Sequence, residues 1–176
     1  MKTISILKYS KRPAYALLLC AFFFIAACKN DLRDEKSTIL ITSTYNAWLK
    51  SNYGYNTWMP TAKDFKTLDK VLIKAIEQHE FDFIKEPIKA NIDKYLYKQY
   101  IPYIDSSGDR IIYLNTFCDF DEERMERVVE KNGKYEWVPI DWKNEYFQVD
   151  DGGMCYWRIT INIDKEAYSN LMINGV

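Results

Sequence analysis

The chain has one histidine, six glycines and four cysteines in 176 residues, and each shortage removes a class of chemistry. With His79 alone, no site can draw on several histidine ligands, and a histidine triad has a single candidate base. His79 falls at the expected end of a helix, where an exposed imidazole favoured by the helix dipole is the simpler reading. The few glycines form neither a phosphate-binding loop nor a Gly-x-Ser-x-Gly turn. Basic charge is not in surplus: 24 Lys and Arg face 25 Asp and Glu, which leaves no electrostatic footprint for nucleic acid. The acidic runs Asp119-Phe120-Asp121-Glu122-Glu123 and Asp150-Asp151 lack the spacing and central glycine of an EF-hand, and read as solvated loop acids. Carboxylate pairs suited to glycoside hydrolysis occur in any chain this acidic, and no spacing singles one out. No metal, cofactor or catalytic activity is therefore expected.

Acids are also missing from the N-terminus, where none precedes Asp31 while Lys2, Lys8, Lys11 and Arg12 are basic. An apolar run from Ala14 to Ala27 follows. It is shorter than the roughly 20 residues of a spanning helix and suits the core of a secretory signal. The run ends in Ile25-Ala26-Ala27-Cys28, which resembles the lipobox of bacterial lipoproteins. The resemblance implies cleavage before Cys28, acylation of that cysteine and anchoring in an envelope membrane through its acyl chains. An ordinary secretory signal and an uncleaved anchor are the alternatives. Lys29 follows the cysteine, not the Asp that resembles an inner-membrane retention signal, so the outer membrane is the expected destination. Residues 28–37 are polar and read as a lipidated tether, leaving 38–176 as a single domain.

Without residues 1–27 the chain keeps 20 basic and 25 acidic residues, a formal net charge near −5. It remains long enough to bury a core. Cys118 and Cys155 are an even pair in an oxidising compartment, and either form a disulfide or pack as buried thiols.

Local patterns place the elements. Ile39 to Leu49 allows a short helix, and Ser51 to Asn56 breaks it. Thr61 and Asp64 mark a helix start, and Phe65, Leu68, Leu72, Ala75 and Ile76 recur at helical spacing, predicting an amphipathic helix over about 62–78. Residues 79–94 read as a short helix or an irregular link around Pro87. Tyr95–Ile104 and Arg110–Cys118 flank a turn and predict a hairpin, with Pro102 requiring an edge or a bulge. Asn132-Gly133 suggests a small hairpin within 119–140, a helix ending at Asn132 being the alternative. From Cys155 to Ile163 apolar residues alternate with mostly polar ones, and a last strand runs from about Tyr168 to Ile173.

The expected fold is therefore α+β: one amphipathic helix ahead of, and packed on, an antiparallel meander of four or more strands. This order is similar to cystatin-like folds. The strand–Asp-Gly-Gly–strand ending also resembles lipoproteins of Bacteroidota-type bacteria with no assigned activity, so that likeness implies none.

Aromatic residues are frequent, with 14 tyrosines. Tyr53, Tyr55, Trp58, Trp137 and Trp142 lie in expected loops, where they either form a binding surface or cap the core. The function implied is a membrane-anchored, non-catalytic module that binds an envelope protein or a glycan. A toxin-neutralising immunity lipoprotein and a carboxylate-dependent envelope hydrolase are the alternatives.

Overall fold

The computed structural model describes residues 34–86, 88–118, 126–148 and 152–174. The expected signal peptide, Cys28 and the acidic runs at 119–123 and 150–151 lie outside these residues. In chain order the elements are β1 (Ser37–Ile39), α1 (Thr44–Tyr53), α2 (Ala62–Glu77), the short α3 (Ile92–Tyr95), β2 (Tyr97–Ile104) and β3 (Arg110–Phe117). They continue as β4 (Glu126–Lys131), β5 (Lys134–Pro139), β6 (Trp157–Asn162) and β7 (Ala167–Ile173). The fold class is α+β.

The main sheet has the order β1-β2-β3-β6-β7, and β4-β5 form a separate two-stranded sheet. Strands β2, β3, β6 and β7 are antiparallel, but β1 runs parallel to β2, so the sheet is mixed rather than a pure meander. The meander is also interrupted, because residues 118–156, including the β4–β5 hairpin, lie between the paired strands β3 and β6. The amphipathic helix is not the first element either, since β1 and α1 precede it.

The described chain begins at Asp34, three residues ahead of β1. Ser37 and Thr38 are buried in β1. Asp34 accepts from the Lys36 amide at 2.9 Å and pairs with the buried Lys98 at 3.2 Å.

Helix α2 starts as its cap predicts: Asp64 accepts from the Thr61 amide at 2.8 Å and from its hydroxyl at 2.6 Å. Its Leu68, Val71 and Ala75 join one core with Ile112, Leu114, Trp157, Ile159 and Ile161 of the sheet. Full burial of each larger aliphatic side chain contributes roughly 1.5–3 kcal/mol. Turns over residues 78–83 carry Phe81 and Ile84 into this core.

Even-numbered residues of β2 direct their backbone toward β1, since Lys98 donates to the Lys36 carbonyl and the Tyr100 carbonyl accepts from Leu40. Pro102 lies past the last β1 pair, so its missing N–H faces a side with no ladder to break. Asn132 and Gly133 turn β4 into β5 with φ of 55° and 73°, as a tight hairpin turn requires.

Candidate functional site

The second face of the sheet is covered as well. Helix α1 and the segment 140–148 lie on it, and Leu40 and Leu49 pack there against Ile101. Two buried amides hold the segment. Gln99 donates to the carbonyls of Trp142 at 2.6 Å and Glu145 at 2.7 Å, and accepts from the Phe147 amide at 3.0 Å. Asn115 donates to the Gln99 side chain at 3.0 Å and to the Phe147 carbonyl at 2.7 Å. This pairing satisfies groups that would be costly to bury alone. It fixes a strap carrying Trp142, Tyr146 and Phe147.

The strap and α1 assemble a band of aromatic rings. Tyr146 stacks on Tyr45 at 4.4 Å between centroids, and Tyr45 stacks on Trp48 one helical turn later at 5.4 Å. Trp48 meets Tyr53 edge-on at 5.3 Å. Gly54, with φ of 72°, ends α1 in the left-handed conformation and turns the chain back, so that Tyr55 stacks on Tyr53 at 5.3 Å. Tyr55 in turn lies parallel to Tyr103 of β2 at 5.1 Å. Tyr113 of β3 completes the band, 5.8 Å from Tyr45 and with its hydroxyl 3.3 Å from that of Tyr146. Tyr45, Tyr103, Tyr113 and Tyr146 are half-buried, while Trp48 and Tyr53 keep 45% and 55% of their surface exposed. The band therefore has a rigid floor and an open margin.

Burial raises the phenol pKa of Tyr103 and Tyr113, and that of Tyr45, with neighbouring tyrosines adding to it. These three rings stay neutral at physiological pH. Stacked tyrosines offer large apolar area, and their hydroxyls keep a polar edge.

No protein-family model, curated protein or solved structure matches this chain.

The other residues singled out in the sequence have separate places. Trp142 is buried and supports the strap. The indole of Trp58 donates to the carbonyls of Tyr103 and Ile111, both at 3.2 Å, under the Arg110 guanidinium. Trp137 stands on the β4–β5 hairpin, 68% exposed. Of the five, only Tyr53 and Tyr55 belong to the band. A disulfide joins Cys118 to Cys155, with Cα atoms 5.5 Å apart. The β3–β6 register, continued two residues beyond Thr116 and Trp157, places these positions opposite each other. His79 is exposed past the end of α2, 3.1 Å from Asp82.

The described acids with resolved shifts are held by basic partners. Arg110 bonds Asp64 at 2.8 Å and Asp164 at 2.6 Å, and Lys165 pairs with Asp109. Hydrogen bonds from Arg110 lower the Asp164 pKa, and those from Lys165 and Asn162 lower that of Asp109. Burial alone would raise the Asp64 pKa, but hydrogen bonds from Thr61 and the charge of Arg110 outweigh it and bring it down. Carboxylates held ionised in this way are poor proton donors. Among the described residues, no group of three or more His, Cys, Asp or Glu side chains is placed to hold a metal ion.

Proposed function

We propose that this chain is an envelope lipoprotein, cut before Cys28 and acylated there, whose folded part is a non-catalytic binding module using the aromatic band as its contact surface. The anchor reading rests on the basic start, the short apolar run and Ile25-Ala26-Ala27-Cys28. The binding reading rests on one observation: Trp48 and Tyr53 stand exposed at the margin of an otherwise packed set of rings. Exposed rings on a rigid base lose little entropy on binding, and such residues dominate contact energies. The partner is an envelope protein or glycan at the outer membrane. We read the architecture as a cystatin-like arrangement with an added parallel edge strand. Asp64, Asp109 and Asp164, held in ion pairs, are not candidates for the proton donor of the hydrolase alternative.

Two experiments test this. Intact mass and membrane fractionation of the native protein beside Cys28→Ala should give loss of residues 1–27 plus acyl mass, abolished by the substitution. An unacylated, soluble native protein would end the anchor reading. Photo-crosslinking in cells from position 48 should capture a partner that position 73, which is more exposed and lies on α2, does not. Identical adducts from both positions would remove the band as the contact surface.

A further inference from the structure

Part of the second sheet face is open. Residues paired directly across a sheet point to the same side. On β3, Asn115 bonds the strap and Tyr113 packs in the aromatic band. Their partners on β6 are Arg158 and Thr160, which pair in turn with Met172 and Ser169 of β7. Tyr168 and Leu171, the neighbours of this last pair, pack into the core on the other side. Arg158 and Thr160 are half-buried, and Ser169 and Met172 are exposed. Helix α1 and the strap thus cover the β2–β3 part of the face and leave the β6–β7 part as a shelf. Tyr45, Tyr113 and Tyr146 form the wall beside it.

The shelf holds one charge. Of the side chains that β2, β3, β6 and β7 turn to this face, Arg158 alone is charged. Helix α1 carries no acid. The two acids of the strap are engaged elsewhere, Glu145 with the Thr44 hydroxyl and Asp141 with the Asn144 amide, both at 2.8 Å. Among the described residues the Arg158 guanidinium has no ion pair and no oxygen acceptor. Its hydrogen-bond contact is the Met172 sulfur at 3.8 Å, a weak acceptor. The Thr160 and Ser169 hydroxyls likewise make no side-chain hydrogen bond among the described residues. The wall adds neutral donors, since the Tyr113 and Tyr146 hydroxyls lie 3.3 Å apart. Burial keeps Tyr45 and Tyr113 protonated, and the charge of Arg158 opposes that effect on both, which sets the guanidinium close to them.

Resting on the reading of the aromatic band as a contact surface, we infer that the shelf and its wall bind an acidic saccharide through its carboxylate. The guanidinium fork matches a carboxylate in a bidentate pair, and its single charge matches a single negative one. The Thr160, Ser169 and phenol hydroxyls match the hydroxyl groups of a sugar ring. Further sugars run along the band toward the exposed Trp48, whose ring offers an apolar face to their C–H groups. A protein partner would bring apolar side chains to the centre of its interface, and the shelf offers them only Met172 as a large apolar residue.

The test measures binding of the full native chain to polygalacturonate, alginate and hyaluronan, each beside its carboxyl-reduced form, with polyglutamate as a non-saccharide polyanion. At least one acidic polysaccharide should bind, and its reduced form should bind about tenfold more weakly or worse. Arg158→Gln should bring the acidic form down to the level of the reduced one. Tyr113→Phe, which keeps the ring and removes a hydroxyl, should weaken both forms. Binding of none of the three, equal binding of acidic and reduced forms, or full binding by Arg158→Gln would overturn the inference. Polyglutamate bound as tightly through Arg158 would also overturn it, assigning the cation to an acidic protein. Carboxyl reduction alters the ligand alone, so that comparison decides even where a variant fails to fold. The two readings fail separately. A partner captured from position 48 with no saccharide bound ends this inference and leaves the band. Binding that depends on Arg158, with identical adducts from positions 48 and 73, upholds the shelf and ends the wider role of the band.

Discussion

Replacing Gln99 by leucine should separate the strap from the sheet. The side chain is fully buried and takes part in four hydrogen bonds, two given to the Trp142 and Glu145 carbonyls and two accepted from Asn115 and the Phe147 amide. Leucine fills nearly the same volume, so a cavity is not the main effect. What remains is a set of buried polar groups without partners, each costing about 1–3 kcal/mol. Full addition would exceed what the strap itself contributes, because the segment can peel away and hydrate. We expect a loss of about 3–5 kcal/mol in urea unfolding. Hydrogen exchange should quicken at the Phe147 amide well before it does in β3 or β6. Near-ultraviolet circular dichroism should also weaken, since Tyr146 would leave Tyr45. A Gln99→Leu protein within about 1 kcal/mol of wild type, with unchanged exchange at Phe147, would refute the account of the clamp.

Acid should weaken the end of the sheet at Arg110. The Asp64 and Asp164 carboxyls are depressed in the folded state, so their stabilisation is present above the ordinary carboxyl range near pH 4 and disappears as pH falls through their folded values. Asp164→Asn should flatten this acid dependence in denaturation measured across pH 2–6. Alkali acts in the opposite direction on Tyr45, Tyr103 and Tyr113, whose raised pKa gives stabilisation present below about pH 10 and lost above it. Absorbance titration of the folded protein should show a group of phenols that ionise only with unfolding. Cys118→Ser/Cys155→Ser opens a loop with a sequence separation of 37 and should lower stability, measured by urea unfolding under oxidising conditions, by about 3–4 kcal/mol.

Much of the fold was legible because local rules decided it. Thr61 and Asp64 set the start of α2, apolar spacing set its buried face, and alternation from Trp157 to Ile163 set which side of β6 is dry. The parallel β1 was not legible, since Ser37 and Thr38 are polar and only three residues pair. The covered second face left one signal: β2 reads Tyr-Lys-Gln-Tyr-Ile-Pro-Tyr-Ile without clean alternation, as a strand buried on both sides does. Gln99 and Asn115 carry the least sequence signal, because a buried amide looks like a surface amide until its partners are known. The band was legible in part. Tyr53 and Tyr55 stand out in the sequence as aromatics among turn formers, although Tyr53 is the last residue of α1 and not in a loop, whereas Tyr45, Tyr103, Tyr113 and Tyr146 come together only through α1, β2, β3 and the strap.

The long insertion between β3 and β6 also sets an order for folding. The β2–β3 hairpin closes over a short turn and forms early, whereas β6 must find β3 across residues 118–156. Cys118 and Cys155 face each other only after that search succeeds, because the same register aligns both. The rate at which their thiols become mutually reactive is therefore a clock for docking of the C-terminal half. An oxidant added at intervals during refolding would read it directly.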